Sequence, residues 1–186
     1  MIGHRIGECK LTFALICGAL LLAPPAVSAD EAPSLCGSGG CELLLGVGGT
    51  YHFWAKTNGI VVPFIFDLDY GRYELAAFRF TNSQNVEFYN TFPPTRATGP
   101  YWGFSASRRW RVLGRGSVGL FLGIGVNYKT ETDQLNSTHW NFAEQLAVRW
   151  RISHTLGMEL AFRHWSNAGI KLPNRGQDFA TLSLIF

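Results

Sequence analysis

The sequence predicts an all-β protein, an eight-stranded antiparallel β-barrel that crosses a membrane. Hydrophobic residues make up 47% of the 186 residues and charged residues only 16%, whereas an average soluble domain has roughly 25% charged residues. No run of about 18 apolar residues, the length that a membrane-spanning helix needs, occurs in the chain. From Glu42 onward, apolar residues instead recur at every second position, which is typical of strands with one apolar face.

Composition also excludes other classes of protein. A chain with this much apolar surface does not remain disordered in water. The formal net charge is only +3, which gives no reason to expect a nucleic-acid partner. The five histidines lie in different segments without the spacing of metal ligands, so no metal site is expected.

Residues 1–29 are predicted to be a cleaved export signal. A basic start is followed by the apolar run 11–22, then by Pro24 and Pro25, and by small residues that end at Ala29. The apolar run is too short to span a bilayer, which favours a secretory signal over an uncleaved anchor. We therefore expect a mature barrel of residues 30–186, with its strands between 42 and 186.

Two cysteines, Cys36 and Cys41, remain in the predicted mature chain. In an oxidising compartment they can close a small disulfide loop. A C-x4-C pair without a second pair does not make a zinc site. The pair is therefore either a structural staple or two idle thiols.

Eight strands are predicted in chain order, at 42–54, 60–69, 72–80, 100–113, 117–130, 138–151, 155–166 and 177–186. The apolar parity of the later strands carries Trp102, Phe104 and Trp110; Val118, Leu120, Leu122, Ile124, Val126 and Tyr128; Trp140, Phe142 and Leu146; Leu156, Met158, Leu160 and Phe162; and Ala180, Leu182, Leu184 and Phe186. A tilted membrane strand needs about 9–11 residues, and eight such strands fit in residues 30–186.

The connections between these strands alternate in length. Tight turns are predicted near Gly71, near 114–116 and near Ser153, whereas the connections after 80 and after 166 are long. Short periplasmic turns and long outer loops are typical of outer-membrane barrels. The final Phe186 resembles the assembly signal of Gram-negative outer-membrane proteins, so we expect the outer membrane, with both termini in the periplasm. The alternative is a soluble barrel of lipocalin type, with its large apolar side chains facing inward.

Two charged residues, Arg108 and Glu144, fall on the apolar parity of their strands. Charge on a lipid-facing surface costs free energy away from the interface. The sequence interpretation is a β-bulge that shifts the parity of these strands.

The opposite parity is polar and predicts the content of the barrel lumen. It carries Ser105, Arg109, Arg111, Gln145, Arg149, Glu159 and Arg163. Because eight strands enclose only enough room for side chains, these residues predict an interior ion-pair network rather than a pore.

The candidate chemistry lies at the end of strand 155–166, where the apolar parity continues into His164 and Ser166. From residue 156 to residue 166 a strand spans roughly 33 Å, or about 25 Å in height at a tilt of about 40°. This height equals the apolar band of a membrane barrel, so both side chains are expected at the outer interface, on the lipid-facing side.

Asp178 shares this face on the next strand. If Phe186 opposes Leu156, the residue numbers of directly opposed pairs add up to 342, which pairs His164 with Asp178. Directly opposed Cβ atoms lie about 4.5–5.5 Å apart. A carboxylate at that distance can orient the imidazole, which can then accept the proton of the Ser166 hydroxyl. The alternative is that these are ordinary polar residues at a membrane interface.

The run 164–176 carries the motif H-x-S-N-A-G followed by P-N-x-G. This motif resembles the signature of the lipid A 3-O-deacylase (PagL-like) family of outer-membrane barrels. The resemblance implies that Ser166 is the nucleophile, that His164 is the general base and that Asp178 is the acid, where the family usually has Glu. It covers some 15 residues closely, and the strand pattern and the terminal Phe extend it more weakly.

Stabilisation of the oxyanion is assigned to Asn174, Asn167 or the backbone N–H of Gly169, each of which could supply one hydrogen-bond donor. Their alternative role is turn formation, since Asn, Gly and Pro also build loops. Glu144 lies a strand away from His164 and is not expected to substitute for Asp178.

The resemblance implies a serine hydrolase that removes the ester-linked acyl chain at position 3 of lipid A, with lipopolysaccharide in the outer leaflet as substrate. Serine ester hydrolysis needs no cofactor. Two alternatives stay open, a non-catalytic structural or adhesin barrel and an esterase that acts on glycerophospholipids. The sequence also leaves open whether the barrel forms a homodimer.

Overall fold

The computed structural model describes residues 40–51, 55–56, 59–69, 71–81, 87–88, 100–132 and 135–186. Within these residues the chain forms ten strands: β1 (Cys41–Tyr51), β2 (Ala55–Lys56), β3 (Ile60–Leu68), β4 (Tyr73–Phe80), β5 (Glu87–Phe88), β6 (Tyr101–Leu113), β7 (Val118–Lys129), β8 (Trp140–Arg151), β9 (Gly157–Ser166) and β10 (Gln177–Ile185). Eight of them close an antiparallel barrel in the order β1-β10-β9-β8-β7-β6-β4-β3, and β2 pairs with β5 in a separate small sheet. The predicted fold is confirmed.

The barrel strands match the eight predicted ranges to within about three residues at each end. The turn between β8 and β9 shows why the tight connections form. The Ser153 hydroxyl accepts hydrogen bonds from the backbone N–H groups of Thr155 (3.3 Å) and Leu156 (3.0 Å), which closes a local side-chain turn. The predicted export signal and Cys36 lie outside the described residues, while Cys41 is disulfide-bonded.

When the barrel closes, outward-facing residues of neighbouring strands form a row that runs diagonally around the barrel. The candidate site lies on this row. The row is traced by stepping from each residue to the one directly opposite it on the neighbouring strand. It starts at Cys41 on β1 and passes through Leu68, Tyr73, Arg108, Ile124, Glu144, His164 and Asp178 before it reaches Tyr51, again on β1. The row therefore returns to β1 ten residues beyond its start. Such a stagger requires strands tilted by roughly 35–45°. The diagonal row thus climbs from Cys41 at the start of β1 to Tyr51 at its end, which are the periplasmic and outer ends of β1 in the predicted orientation.

The outer surface of the barrel is apolar. Its exposed side chains include Leu45, Val47, Phe64, Leu75, Phe104, Leu122, Leu146, Phe162 and Leu182. The aromatic residues Trp102, Tyr128 and Trp140 lie toward the outer strand ends, as expected for a membrane interface. A soluble lipocalin-like barrel would have the opposite arrangement, so that alternative is wrong. Among the described residues, none belongs to a helix of the length and apolarity that crossing a membrane takes.

The lumen holds the predicted ion-pair network in its periplasmic half. Arg109 contacts Glu74 at 2.9 Å and Glu159 at 2.6 Å, and Arg163 contacts Glu74 at 2.6 Å. Arg149 extends the network to Asp67, Glu159 and Glu42. Toward the outer end, a cluster of aromatic side chains continues the filling, formed by Phe78, Phe80, Tyr101, Trp165 and Phe179. Side chains therefore occupy the lumen at both levels.

The predicted β-bulge at Arg108 and Glu144 is wrong. β8 pairs with both of its neighbours without a register shift, and the one shift in β6 lies between Arg111 and Leu113, beyond Arg108. Both charged side chains therefore belong to the outward face. Their compensation is local, since the guanidinium carbon of Arg108 lies 5.2 Å from the Trp110 ring centroid and Glu144 directly opposes His164.

Candidate active site

His164 and Asp178 meet at the outer end of the β9–β10 pair. The register runs from Gln177 opposite Trp165 to Ile185 opposite Gly157, so every pair adds up to 342 as predicted. His164 Nδ1 and Asp178 Oδ1 lie 2.6 Å apart. The carboxylate therefore holds Nδ1 as an N–H donor, which leaves Nε2 as the nitrogen that can accept a proton.

The exposure of the two side chains differs in the way that this chemistry needs. The His164 side chain is 39% exposed and that of Asp178 only 12% exposed. The carboxylate is thus shielded behind the imidazole, and the imidazole faces the outer surface. Ser166 ends β9 two residues beyond His164, on the same face and directly opposite Phe142.

Trp165 lies between His164 and Ser166 and points into the lumen. Its ring packs edge-on against Phe78, Phe80 and Phe179, at centroid distances of 5.4, 5.7 and 4.9 Å. Because neighbouring strand residues point to opposite faces, anchoring Trp165 inside the barrel directs both neighbours outward.

The loop 167–176 folds back over the imidazole at Gly176. This glycine has a φ of +75°, and a Cβ atom there would overlap Cε1 of the His164 ring. Only a residue without a side chain allows the backbone to pass this close. The last glycine of the P-N-x-G motif therefore packs directly against the candidate base.

Hydrogen bonds within the loop show which of the three predicted oxyanion donors are already engaged. The Gly169 N–H donates to Asn167 Oδ1 at 3.0 Å, and Asn167 Nδ2 donates to the Lys171 carbonyl at 2.8 Å. The Asn167 N–H donates to Asn174 Oδ1 at 3.0 Å. Since a backbone N–H only donates, the Asn174 amide must turn its oxygen toward Asn167 and its NH₂ group away.

A second loop holds this one in place. Asn136 forms a β-bridge with Asn174. The Ser137 N–H donates to the Pro173 carbonyl at 3.1 Å, and the Arg175 N–H donates to the Leu135 carbonyl at 2.7 Å. The segment that carries Asn174 is thus bonded on both sides of that residue.

The sequence interpretation placed Glu144 a strand away from His164 and did not predict that the two residues oppose each other directly. Glu144 opposes His164 on the side away from Asp178, so that the imidazole lies between two carboxylates on adjacent strands. The sequence does contain a signal for this position, because the uninterrupted alternation of β8 places the Glu144 side chain on the outward face without a bulge.

A groove of about 570 Å³ runs across the outer surface from this group. Its upper end is lined by Tyr51, Asp178 and His164, and its walls farther down include Phe162, Leu146 and Leu122. Its lower end reaches Trp110 on β6. The groove follows the diagonal row and so descends from the outer interface into the apolar band.

Among the described residues, no three His, Cys, Asp or Glu side chains are grouped so that they could hold a metal ion. What the described site combines is a serine, an imidazole and a shielded carboxylate beside an apolar groove. This combination defines a membrane β-barrel with a hydrolase-like site on its lipid-facing surface.

Comparison with known proteins gives the family. The family model described as lipid A 3-O-deacylase (PagL) matches residues 67–186, and the chain belongs to that family. It is accordingly a lipid A deacylase of the outer membrane, an ester hydrolase that acts on lipopolysaccharide.

A solved structure, "Crystal structure of the outer membrane enzyme PagL", is similar in fold, with a TM-score of 0.51. It shares 15% sequence identity, and the match covers 78% of this chain and 98% of that chain. No curated protein matches the sequence.

Proposed function

We propose that the protein hydrolyses the ester-linked acyl chain at position 3 of lipid A with Ser166 as nucleophile, His164 as general base and Asp178 as orienting acid. The observation that carries this proposal is the 2.6 Å contact between His164 Nδ1 and Asp178 Oδ1 on the lipid-facing surface. Export by removal of residues 1–29 is part of the proposal.

The proposed reaction has two stages, acylation of Ser166 and hydrolysis of the acyl-serine ester. His164 Nε2 accepts the hydroxyl proton as Ser166 Oγ attacks the ester carbonyl carbon. The tetrahedral intermediate then breaks its bond to the sugar oxygen, which leaves as an alcohol with the proton from His164. Water, activated by the same imidazole, hydrolyses the acyl-serine ester, releases the 3-hydroxy fatty acid and restores Ser166.

Asn174 is the oxyanion donor that the loop geometry favours. The Asn167 side chain and the Gly169 N–H are already hydrogen-bonded within the loop, whereas Asn174 turns its NH₂ group away from its partner Asn167. One well-placed donor of this kind contributes about 2.7–4 kcal/mol to the stabilisation of the transition state.

The groove supports an acylated substrate. Its walls below His164 are mostly aliphatic and aromatic side chains, and it begins at His164 and Asp178, two residues along β9 from Ser166. An acyl chain that lies in it stays in an apolar environment while its carbonyl is held at Ser166. A serine at the outer interface also meets the leaflet that contains lipopolysaccharide.

Mass spectrometry of lipid A after incubation with the purified protein tests the proposal. We expect the loss of one hydroxyacyl group, and no loss with Ser166→Ala or His164→Ala, whose effects should not add because the pair acts as a unit. Unchanged lipid A would favour a structural or adhesin barrel. Fatty acid released only from added glycerophospholipid would favour a phospholipid esterase.

A further inference from the structure

Trp110 lines the lower end of the groove, and Arg108 lies beside it on β6, with its guanidinium carbon 5.2 Å from the Trp110 ring centroid. Both side chains are half-buried on the outward face of β6. Arg108 belongs to the diagonal row, three strands from His164 and closer to the periplasm, and Trp110 lies two residues below it. The groove reaches Trp110, so this pair lies at the opposite end from the reacting groups.

An arginine in this position is unfavourable unless it has a role. On the lipid-facing side of a barrel, Arg costs about 2–4 kcal/mol near the membrane midplane. Ionisable residues at such depth usually mark functional sites. The guanidinium carbon lies 5.2 Å from the Trp110 ring centroid, within the range of a cation–π contact that strengthens when both groups are desolvated. Arg108 therefore restrains the Trp110 ring.

We propose that the Arg108–Trp110 pair closes the lower end of the groove and sets the longest acyl chain that the enzyme accepts. The proposal rests on the proposed function, since it requires the acyl chain to lie in the groove with its ester at Ser166. Arg108 acts here as a positioning residue for the indole ring, and Trp110 is the residue that the end of the chain contacts.

Strand geometry gives the length that this closure allows. Trp110 lies three strand spacings from β9, two residues below the level of His164 and four residues below that of Ser166. These offsets place Trp110 about 16 Å from His164 and about 20 Å from Ser166 along the barrel surface. With C–C bonds of about 1.5 Å, an extended chain advances about 1.3 Å per carbon, so these distances accommodate roughly 12–15 carbons. Longer chains would have to leave the groove at Trp110.

The test compares lipid A species that differ only in the length of the acyl chain at position 3, with kcat/KM measured from released fatty acid. For the wild-type protein we expect kcat/KM to fall about tenfold when the chain exceeds the limit by one methylene. Trp110→Ala should move the limit to longer chains, and Trp110→Phe should move it by less. Arg108→Leu should make the fall of kcat/KM with chain length more gradual, because the Trp110 ring is no longer restrained.

Trp150→Ala is the matched control. Trp150 is an outward-facing tryptophan on β8 that is 55% exposed and does not line the groove, so its removal should leave the length profile unchanged. Heat-dependent gel mobility shows whether each barrel has folded. If Trp110→Ala is unfolded, Trp110→Phe decides.

Profiles that superimpose for the wild-type protein and the folded Trp110 variants would overturn the proposal while leaving the deacylase intact. A Trp150→Ala profile that shifts like that of Trp110→Ala would overturn it as well. Failure of the wild-type protein to release hydroxy fatty acid from every species would instead overturn the proposed function.

Discussion

At the scale of single residues, the site places one imidazole between two carboxylates. Asp178 on β10 contacts His164 Nδ1 at 2.6 Å, and Glu144 on β8 opposes the same histidine from the other side. Asp178 is also the shielded member, since only 12% of its side chain is exposed. We therefore assign to Asp178, in the proposed mechanism, the role of holding the imidazole in its reactive tautomer.

Replacing Asp178 with Asn should lower kcat by up to about 10⁴, as the loss of the orienting carboxylate does in a serine protease. Asp178→Glu should retain appreciable activity, because the additional methylene can be accommodated beside the loop 167–176. Glu144→Gln should lower kcat far less than Asp178→Asn. Deacylation rates for the three variants provide the comparison, and an equal loss in Glu144→Gln would transfer the orienting role to Glu144.

Asn174 offers a substitution that separates its two functional groups. Asn174→Asp keeps an oxygen that accepts the hydrogen bond from the Asn167 N–H, but it removes the NH₂ donor. We therefore expect the loop to hold and kcat to fall by at least about 10²–10³, the loss seen for one oxyanion donor. Asn167→Asp, which also keeps its acceptor oxygen, serves as the control. Comparable losses in the two variants would contradict the assignment of Asn174.

At the scale of strands and loops, the β9–β10 register could be predicted because strand parity repeats every two residues and the chain end supplies a starting pair. The same parity located Ser166, His164 and Asp178 on one face. The contacts of the loop 167–176 could not be predicted, since they depend on a second loop more than thirty residues away in sequence. The direct opposition of Glu144 and His164 was not predicted, because the outward parity of Glu144 was attributed to a bulge, although β8 has no register shift.

The approach of the loop to the imidazole can be tested at Gly176. Gly176→Ala introduces a Cβ atom that would overlap the His164 ring, so deacylation should fall strongly while the barrel remains folded. Gly116→Ala is the matched control, because Gly116 also has a positive φ, +61°, but nothing lies within 4 Å of its Cβ position. Both changes should cost about 1–2 kcal/mol of backbone strain. Equal activity in the two variants would show that the loop can move away from His164.

At the scale of the whole molecule, the lumen network stabilises the barrel, and the outer surface carries the proposed catalytic site. Among the described residues, the lumen network joins four acids, Glu42, Asp67, Glu74 and Glu159, to four arginines, Arg109, Arg149, Arg151 and Arg163. Its charges balance, and Arg109 lies within contact distance of three of the acids. The proposed catalytic residues Ser166, His164 and Asp178 lie on the outward face of the barrel wall, at the outer end of β9 and β10.

This separation predicts that the network can be weakened without loss of catalysis. Arg109→Met leaves three buried carboxylates without their shared partner, and breaking a buried ion pair in this way costs about 3–5 kcal/mol. Arg72→Met is the control, since Arg72 pairs with Asp69 at 3.2 Å with 68% of its side chain exposed, and such a surface pair contributes about 0–1 kcal/mol. Urea unfolding in detergent micelles measures both free energies. The folded fraction of Arg109→Met should deacylate at the wild-type rate, because Arg109 contacts the lumen acids Asp67, Glu74 and Glu159 on the other side of the barrel wall from His164. A fall in its specific activity would show that the lumen also positions the reacting groups.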